Sequence, residues 1–179
     1  WELCLADGTG ENSPLIPVLK EYAEKDTRIK YSVLKDNNGI SENTNAAISM
    51  ASGEDIVLAD HDDIVPANAL FECAKALNEG KQTGKNIDVI YSDEDKVDMK
   101  GKKYFEPHFK PDFNPDLLRS MNYISHLFVV KKTLVDEIGG FRQEFDGAQD
   151  YDFVLRCTEK AEQICHIPRV LYHWRVSAQ

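Results

Sequence analysis

Short apolar segments alternate with amphipathic segments through the first ninety residues, and this alternation constrains the fold more than any other feature. The predicted strands are Glu2–Ala6, Ile29–Leu34, Ile56–Ala59 and Val89–Tyr91. Ser13, Ser41 and Pro66 each stand where the first turn of an intervening helix is expected. Strands that alternate with helices favour a parallel sheet with helices packed on it. The sequence therefore predicts an α/β fold with a mostly parallel central sheet flanked by helices.

Length and composition suit a single domain over residues 1–179, since domains commonly contain about 100 to 200 residues. The formal charge of −10 argues against a broad nucleic-acid surface, which needs clustered basic residues. No apolar run approaches the ~18 residues of a transmembrane helix. The four scattered cysteines are predicted to be reduced. Because the chain begins at Trp1 inside a predicted strand, we expect an N-terminally truncated fragment of a longer protein.

Acidic residues follow the C-terminal ends of all four predicted strands. These residues are Asp7, Asp36, Asp60 to Asp63, and Asp93 to Asp95. In open α/β sheets, ligands bind beyond the carboxyl ends of the strands, so one rim is predicted to collect these carboxylates. Side chains two apart on an extended chain point the same way, so Asp60 and Asp62 could share a divalent cation that holds a diphosphate. The alternative is a solvated acidic turn that begins the next helix.

Three further segments have both functional and purely structural interpretations. Asp150 opens a predicted helix, where a carboxylate can cap free N–H groups or interact with the helix dipole. His173 stands beside Trp174 and could be a packed or surface side chain. Asp93 and Asp95 could belong to a solvated charge run. The residues alone leave these alternatives open.

Several short motifs occur in one order along nearly the whole chain. They are Trp1-Glu2-Leu3, Asn38-Gly39-Ile40-Ser41, Gly53-Glu54, Asp60-His61-Asp62-Asp63, Tyr91-Ser92-Asp93-Glu94-Asp95, Gly139-Gly140-Phe141, Gln149-Asp150-Tyr151-Asp152 and Leu171-Tyr172-His173-Trp174-Arg175. This series resembles family-two glycosyltransferases, particularly bacterial enzymes that build surface polysaccharides. The resemblance implies the GT-A (nucleotide-diphospho-sugar transferase) fold, here without its first strand.

The resemblance also implies roles for individual residues. Asp62 matches the metal-binding aspartate of the family and Asp60 the aspartate that assists it and holds the nucleotide ribose, with Mn²⁺ or Mg²⁺ as the cofactor. Asp150 matches the base that deprotonates the acceptor hydroxyl. Gln149 stands where the family usually has Glu, and it is an expected acceptor contact. His173 is a candidate third metal ligand.

The nucleotide-binding residues follow the family pattern less closely. Asp7 aligns with the first residue of the family's Asp-Asp-Gly-Ser turn, which contacts the base, whereas Gly8 replaces the second aspartate. Asp36 and Asn38 are further nucleotide candidates, although Asp-Asn-Asn-Gly is also an ordinary turn sequence. Asp93 and Asp95 are expected to face the donor sugar or the acceptor.

Together the residues and the resemblance predict an inverting, metal-dependent glycosyltransferase. It would move a sugar from a UDP- or dTDP-sugar to a hydroxyl of a glycan or lipid-linked glycan during polysaccharide synthesis. The expected location is the cytoplasm, and the inner face of the cell membrane is a more specific alternative within it. Two rival functions remain open at this point: a sugar nucleotidyltransferase, and a catalytically silent module that binds nucleotide sugars.

Overall fold

The computed structural model describes residues 1–176, and it contains the predicted alternation of strands and helices. The strands are β1 (Leu3–Asp7), β2 (Ile29–Val33), β3 (Asp55–Leu58), β4 (Val89–Asp98), β5 (Tyr104–His108), β6 (Phe128–Lys131) and β7 (Ile164–Val176). The helices are α1 (Ile16–Lys25), α2 (Gly39–Ser49), α3 (Ala69–Gln82), α4 (Pro115–Ser120), α5 (Lys132–Ile138) and α6 (Gln149–Lys160). A 3₁₀ turn at Gln143–Phe145 precedes α6. Each of the four strands predicted in the first ninety residues is present.

The strands form two sheets within residues 1–176. β1 and β2 pair in parallel, and the other five strands form a central sheet with the order β3-β6-β4-β5, in which β7 also pairs with β4. β4 and β7 run parallel, whereas β6 is antiparallel to both β3 and β4, and β5 is antiparallel to β4. β3, β4 and β7 therefore share one direction, and β5 and β6 run against it.

This mixed direction corrects the prediction that the central sheet is mostly made of parallel pairs. β4 and β5 are joined by a tight turn that includes Gly101, and a tight hairpin can connect only antiparallel strands. β6 lies between β3 and β4 and runs in the opposite direction, so β3 and β4 do not pair with each other. The α/β class itself, with a central sheet flanked by helices, is confirmed.

Alternating side chains of the central strands supply a core on each face of the sheet. Tyr91 and Phe128 face one layer, where Phe153 of α6 stacks on Phe141 with ring centroids 4.1 Å apart. Ile90 and the other alternate residues face α3 on the opposite side. This two-residue period is the expected pattern for strands covered on both faces. The cysteines are free, as predicted.

Glu2 connects the β1–β2 sheet to the residues directly before β3 of the central sheet. Its carboxylate contacts Lys30 on β2 and accepts hydrogen bonds from the backbone N–H groups of Ser52 (2.5 Å) and Gly53 (2.8 Å), directly before β3. The Lys30 ammonium and these N–H groups lower the pKa of Glu2 to about 2. The start of β1 is thereby fixed beside the start of β3. Among the described residues, no helix combines the length and apolar character needed to cross a membrane.

Candidate functional site

A group of possible metal ligands lies where β3 ends and β6 begins. Asp60, Asp63 and His126 each offer one ligand atom, and these atoms lie within 4.8 Å of one another. His126 Nε2 is 3.6 Å from Asp60 Oδ2. Two carboxylates and an imidazole are a donor set that Mn-like divalent ions accept. The rim predicted from the sequence therefore holds a plausible cation site.

The turn that carries Asp60 and Asp63 is clamped by the last strand. Tyr172 on β7 accepts a hydrogen bond from the Asp60 N–H (3.0 Å) and donates its own hydroxyl proton to Asp63 Oδ2 (2.7 Å). The Arg175 N–H donates to Asp63 Oδ1 (2.7 Å). Both carboxylate oxygens of Asp63 thus accept hydrogen bonds that hold the turn against β7, whereas the Asp60 side chain is 60% exposed.

Asp62, the ligand predicted from the resemblance, is exposed on the same turn and makes no side-chain hydrogen bond to any of residues 1–176. Asp60 and Asp62 would point the same way only if the chain were extended at these residues. β3 instead ends at Leu58, and the Asp63 N–H closes a turn on the Asp60 carbonyl at 3.3 Å. The turn brings residue 63, rather than residue 62, towards His126. The role of Asp62 stays a prediction.

His173, the predicted third ligand, is bound elsewhere. Its Nδ1 lies 2.5 Å from Asp95 Oδ1, and its ring packs on Tyr104 with centroids 4.5 Å apart. His173 is outside the group of three ligands that the described residues form. Only Nδ1 makes this contact, so the role of His173 as a metal ligand through its other ring nitrogen stays a prediction.

A buried charge network supports His126 from behind. Glu94 Oε2 accepts the His126 N–H (3.0 Å) and lies 3.3 Å from the ring Nδ1. Lys110, whose side chain is fully buried, places Nζ 3.3 Å from the same carboxylate oxygen and 2.5 Å from the Ile124 carbonyl. It also donates to the His126 carbonyl. His126 is therefore fixed by hydrogen bonds at its backbone, whereas its ring Nδ1 makes only an ion-pair contact with Glu94 within the described part of the chain.

These contacts shift the pKa values of all three groups. Burial alone would lower the pKa of His126, but the Asp60 and Glu94 carboxylates raise it to about 9. Burial alone would raise the pKa of Glu94, but His126 and Lys110 lower it to about 2. Burial lowers the pKa of Lys110 to about 8 despite its carboxylate neighbours. A metal bound at His126 must displace a proton, because only neutral imidazole is a ligand.

The predicted base, Asp150, is exposed in the first turn of α6. The helix N-cap is Ala148, so Asp150 does not fill the capping role that its position allowed. Its Oδ2 accepts a hydrogen bond from Asn122 Nδ2 at 3.3 Å, and Asn122 Oδ1 accepts the Ser125 N–H at 3.3 Å. Asn122 thereby links Asp150 to the segment that ends in His126.

Gln149, the predicted acceptor contact, is folded back on its own turn. Its Oε1 accepts the Gly147 N–H at 2.7 Å. The segment before α6 is braced against the loop after β2, since Gln143 Nε2 donates to the Asn38 carbonyl (3.2 Å) and Asp146 binds the Ser41 hydroxyl and N–H. The segment that leads into α6 is therefore in direct contact with the loop that carries Asn38 and with the start of α2.

Two buried acceptors lack a hydrogen-bond partner among the described residues: Asp7 Oδ2 at the end of β1 and Asn43 Oδ1 on the adjacent helix α2. Asp7 Oδ1 accepts the Thr9 N–H at 2.9 Å. Gly8, where the family has a second aspartate, packs so tightly that a Cβ there would lie 2.5 Å from Asn43 Nδ2. Asp36 and Asn38 are exposed on the adjacent β2–α2 loop. The predicted nucleotide residues thus cluster, although their roles stay predictions.

Asp93 and Asp95 are not the solvated charge run that the sequence allowed. Asp93 is 3% exposed, and its Oδ1 accepts the Lys110 N–H (2.9 Å) and contacts His166 Nε2 (2.9 Å). Asp95 is bound to His173, as described above. Both contacts are made by Oδ1, and the predicted contacts of Asp93 and Asp95 with a sugar stay predictions.

His126 and Lys110 were not predicted from the sequence, and Glu94 was included only as part of the acidic run Asp93 to Asp95 at the rim. One signal was available. His126 lies two residues before the apolar strand β6, and if that strand is antiparallel to β3, its first residues reach the same rim as the last residues of β3. The direction of β6 was the missing information.

Comparisons with known proteins agree with this geometry. The sequence profile described as Glycosyl transferase family 2 matches residues 1–139, which is more than three quarters of the chain. The chain belongs to glycosyl transferase family 2. Its relatives include the uncharacterized protein y4gI of Sinorhizobium fredii, 43% identical over 99% of this chain, and the O-antigen biosynthesis protein RfbC of Myxococcus xanthus, 34% identical over 98%. The chain spans only 19% and 13% of the length of these two relatives.

Solved structures show the same fold at lower identity. The S. aureus TarS 1–349 fragment in complex with UDP-GlcNAc superposes with a TM-score of 0.76 at 19% identity, covering 99% of this chain and 50% of the fragment. The fragment in complex with UDP gives a TM-score of 0.75 over 98% of this chain and 51% of the fragment. This likeness confirms the predicted GT-A fold. The single-domain boundaries and the absence of a first strand stay predictions.

Proposed function

We propose that this family 2 chain is the catalytic domain of a metal-dependent, inverting glycosyltransferase that uses a UDP- or dTDP-sugar and a glycan or lipid-linked glycan acceptor. The observation that carries the proposal is the convergence of the Asp60 turn and His126 at the strand-end rim. The O-antigen and chondroitin synthase names among its relatives support a role in polysaccharide synthesis. The UDP and UDP-GlcNAc complexes of TarS support a nucleotide-sugar donor.

We propose Asp60 and Asp62 as the carboxylate ligands of Mn²⁺ or Mg²⁺, with Asp63 holding the turn. The reason is availability: Asp63 already accepts hydrogen bonds on both oxygens, whereas the other two carboxylates are exposed. His126 is the nearest imidazole to Asp60 and is proposed in place of His173, which is bound to Asp95. The ion would stabilise the negative charge that develops on the departing diphosphate.

Asp150 is proposed to accept the proton of the acceptor hydroxyl as that oxygen attacks the anomeric carbon. Its carboxylate is exposed, and Asn122 donates to one of its oxygens while the other remains available. Direct displacement with the base on the face opposite the leaving group inverts the anomeric centre. General-base assistance of this kind contributes about 10²- to 10⁴-fold.

Asp7 is proposed to contact the nucleobase. A buried carboxylate oxygen without a partner is costly, and a bound N–H donor would remove that cost. The imide N–H of uracil or thymine is such a donor. Asp36 and Asn38, on the neighbouring loop, are proposed as further nucleotide contacts.

Calorimetry of UDP-sugars with and without Mn²⁺ tests the metal-site assignment. We expect Asp60→Asn, Asp62→Asn and His126→Gln each to weaken Mn²⁺-dependent donor binding at least tenfold. His173→Gln is the matched control for His126→Gln and tests the sequence prediction directly. If donor binding by the intact wild-type protein is independent of the metal, the proposed mechanism is wrong.

Two outcomes would favour the rival functions. Release of pyrophosphate from a nucleoside triphosphate and a sugar phosphate would identify a nucleotidyltransferase. Donor binding without transfer to any acceptor or to water would identify a silent binding module.

A further inference from the structure

A polar hollow of about 240 Å³ lies between β4, β5 and β7, next to the proposed metal site. Its lining residues are Glu94, Asp95, Lys96, Glu106, His108 and Trp174. Glu94 also holds His126, and the Trp174 ring centroid is 6.3 Å from that of His126. The hollow therefore shares residues and contacts with the site without overlapping the Asp60 turn.

Trp174 gives the hollow an apolar surface. The residue is 44% exposed, and Lys96 Nζ lies 5.8 Å from the ring centroid. The exposed part of the indole ring gains free energy when a ligand covers it. The C–H groups on one face of a pyranose ring are a suitable covering, because they are apolar and carry slight positive charge towards the negative face of the indole.

The other lining groups suit the hydroxyls of the same ring. The Glu106 side chain is 66% exposed and the His108 side chain 42% exposed. Carboxylate oxygens accept hydrogen bonds from hydroxyls, and such charge-assisted bonds are stronger than neutral ones. An apolar platform bordered by acceptors is thus complementary to both parts of a sugar.

The charges of the lining select against acidic sugars. The lining has three carboxylates and one ammonium group, and that ammonium, on Lys96, is 2.6 Å from Glu106. Among the described lining residues, no lysine or arginine is left to pair with a uronate or phosphate. A like charge placed against these carboxylates would be repelled. The volume lies below the ~300 Å³ lower range of drug-sized ligand sites, which suits a single ring.

We propose that this hollow is a subsite for one uncharged pyranose ring, contributed by either the acceptor or the donor. The proposal rests on the proposed glycosyltransferase function, and it adds the charge of the sugar and the residues that select it. Trp174 supplies the stacking surface, and Glu106 and His108 bind the hydroxyls.

The experiment uses the intact protein with Mn²⁺ and two sets of probes. Saturation-transfer NMR with UDP present follows the methyl glycosides of glucose, galactose, rhamnose and N-acetylglucosamine, and methyl glucuronide as the acidic counterpart. Calorimetry compares UDP with UDP-GlcNAc. Trp174→Ala is the test variant, Trp174→Phe the conservative one, and Trp1→Ala the control at a more exposed tryptophan outside the hollow.

We expect at least one neutral glycoside or UDP-GlcNAc to bind about three- to tenfold more weakly to Trp174→Ala, with Trp174→Phe largely restoring binding. An effect on the glycoside alone identifies an acceptor ring, and an effect on UDP-GlcNAc but not UDP identifies a donor ring. Glu106→Lys should improve binding of methyl glucuronide.

Three results would overturn the subsite: no effect of Trp174→Ala on any neutral sugar, an equal effect of Trp1→Ala, or methyl glucuronide binding to the wild type as well as its neutral counterpart. UDP binding separates this failure from that of the proposed function. If the wild-type protein binds UDP with Mn²⁺ but Trp174→Ala has no effect on sugar binding, the proposed function stands and the proposed subsite does not.

Discussion

Replacing Lys110 with methionine should destabilise the fold far more than the same change at a nearby exposed lysine. The Lys110 ammonium is fully buried between the Glu94 carboxylate and the carbonyls of Ile124 and His126. Methionine keeps most of the side-chain volume but removes all three donor contacts. The expected loss therefore reports the polar network rather than a cavity.

The size of the loss follows from the burial. Breaking a buried ion pair by removing one partner costs about 3 to 5 kcal/mol, because the remaining charge and carbonyls cannot reach water. With a urea dependence of about 2 kcal/mol per molar, the unfolding midpoint should fall by roughly 2 M. Lys96→Met is the control: Lys96 also pairs with a carboxylate, but both side chains are partly exposed, and such pairs contribute about 0 to 1 kcal/mol.

Urea unfolding followed by circular dichroism measures both variants under the same conditions. Equal midpoint shifts for Lys110→Met and Lys96→Met would refute the reasoning, because the burial of the network would then have no energetic effect.

Three further predictions concern other parts of the molecule. Asp150→Asn should lower transfer about 10²- to 10⁴-fold while calorimetry shows unchanged donor binding; retained turnover would remove this residue from the base role. The depressed pKa of Glu2 means that its stabilising effect is complete above pH 4.5 and is lost as the pH falls towards 2. Glu2→Gln should therefore reduce the fall in melting temperature at low pH when thermal unfolding is measured from pH 2 to 7. Glu21→Gln, at an exposed ion pair, is the control and should leave that fall unchanged. Asp146→Ala removes charge-assisted hydrogen bonds of about 1.5 to 3 kcal/mol, so amide hydrogen exchange across residues 143–150 should rise about 10- to 100-fold, and unchanged exchange would show that the brace is dispensable.

The sequence was sufficient for the α/β class, because apolar periodicity and helix-start residues are local signals. The four predicted strands of the first half are present. Helix starts were less accurate: Pro66 leads into α3, which begins only at Ala69. The apolar runs at residues 164–167 and 170–174 favour two short strands, but they form one strand, β7, whose pairing with β4 continues past local irregularities.

The candidate site was only partly predictable, because its geometry depends on strand direction and on a turn. The sequence placed the Asp60 turn at the rim, and the structure agrees. It could not show that the chain turns after Leu58, which redirects Asp63 towards His126. Nor could it show that Lys110 and Glu94 are buried together, since neither has a spacing that marks it. Long-range pairing decides each of these features.

One strand, β7, holds the Asp60 turn through Tyr172 and Arg175 and presents Trp174 to the neighbouring hollow. Any adjustment of the turn on loading a nucleotide would be transmitted to the indole through covalently adjacent residues. Linkage then requires the effect to be mutual: a sugar that tightens nucleotide binding must itself be bound more tightly once the nucleotide is present. The shared strand thus gives a physical basis for mutual strengthening of nucleotide and sugar binding.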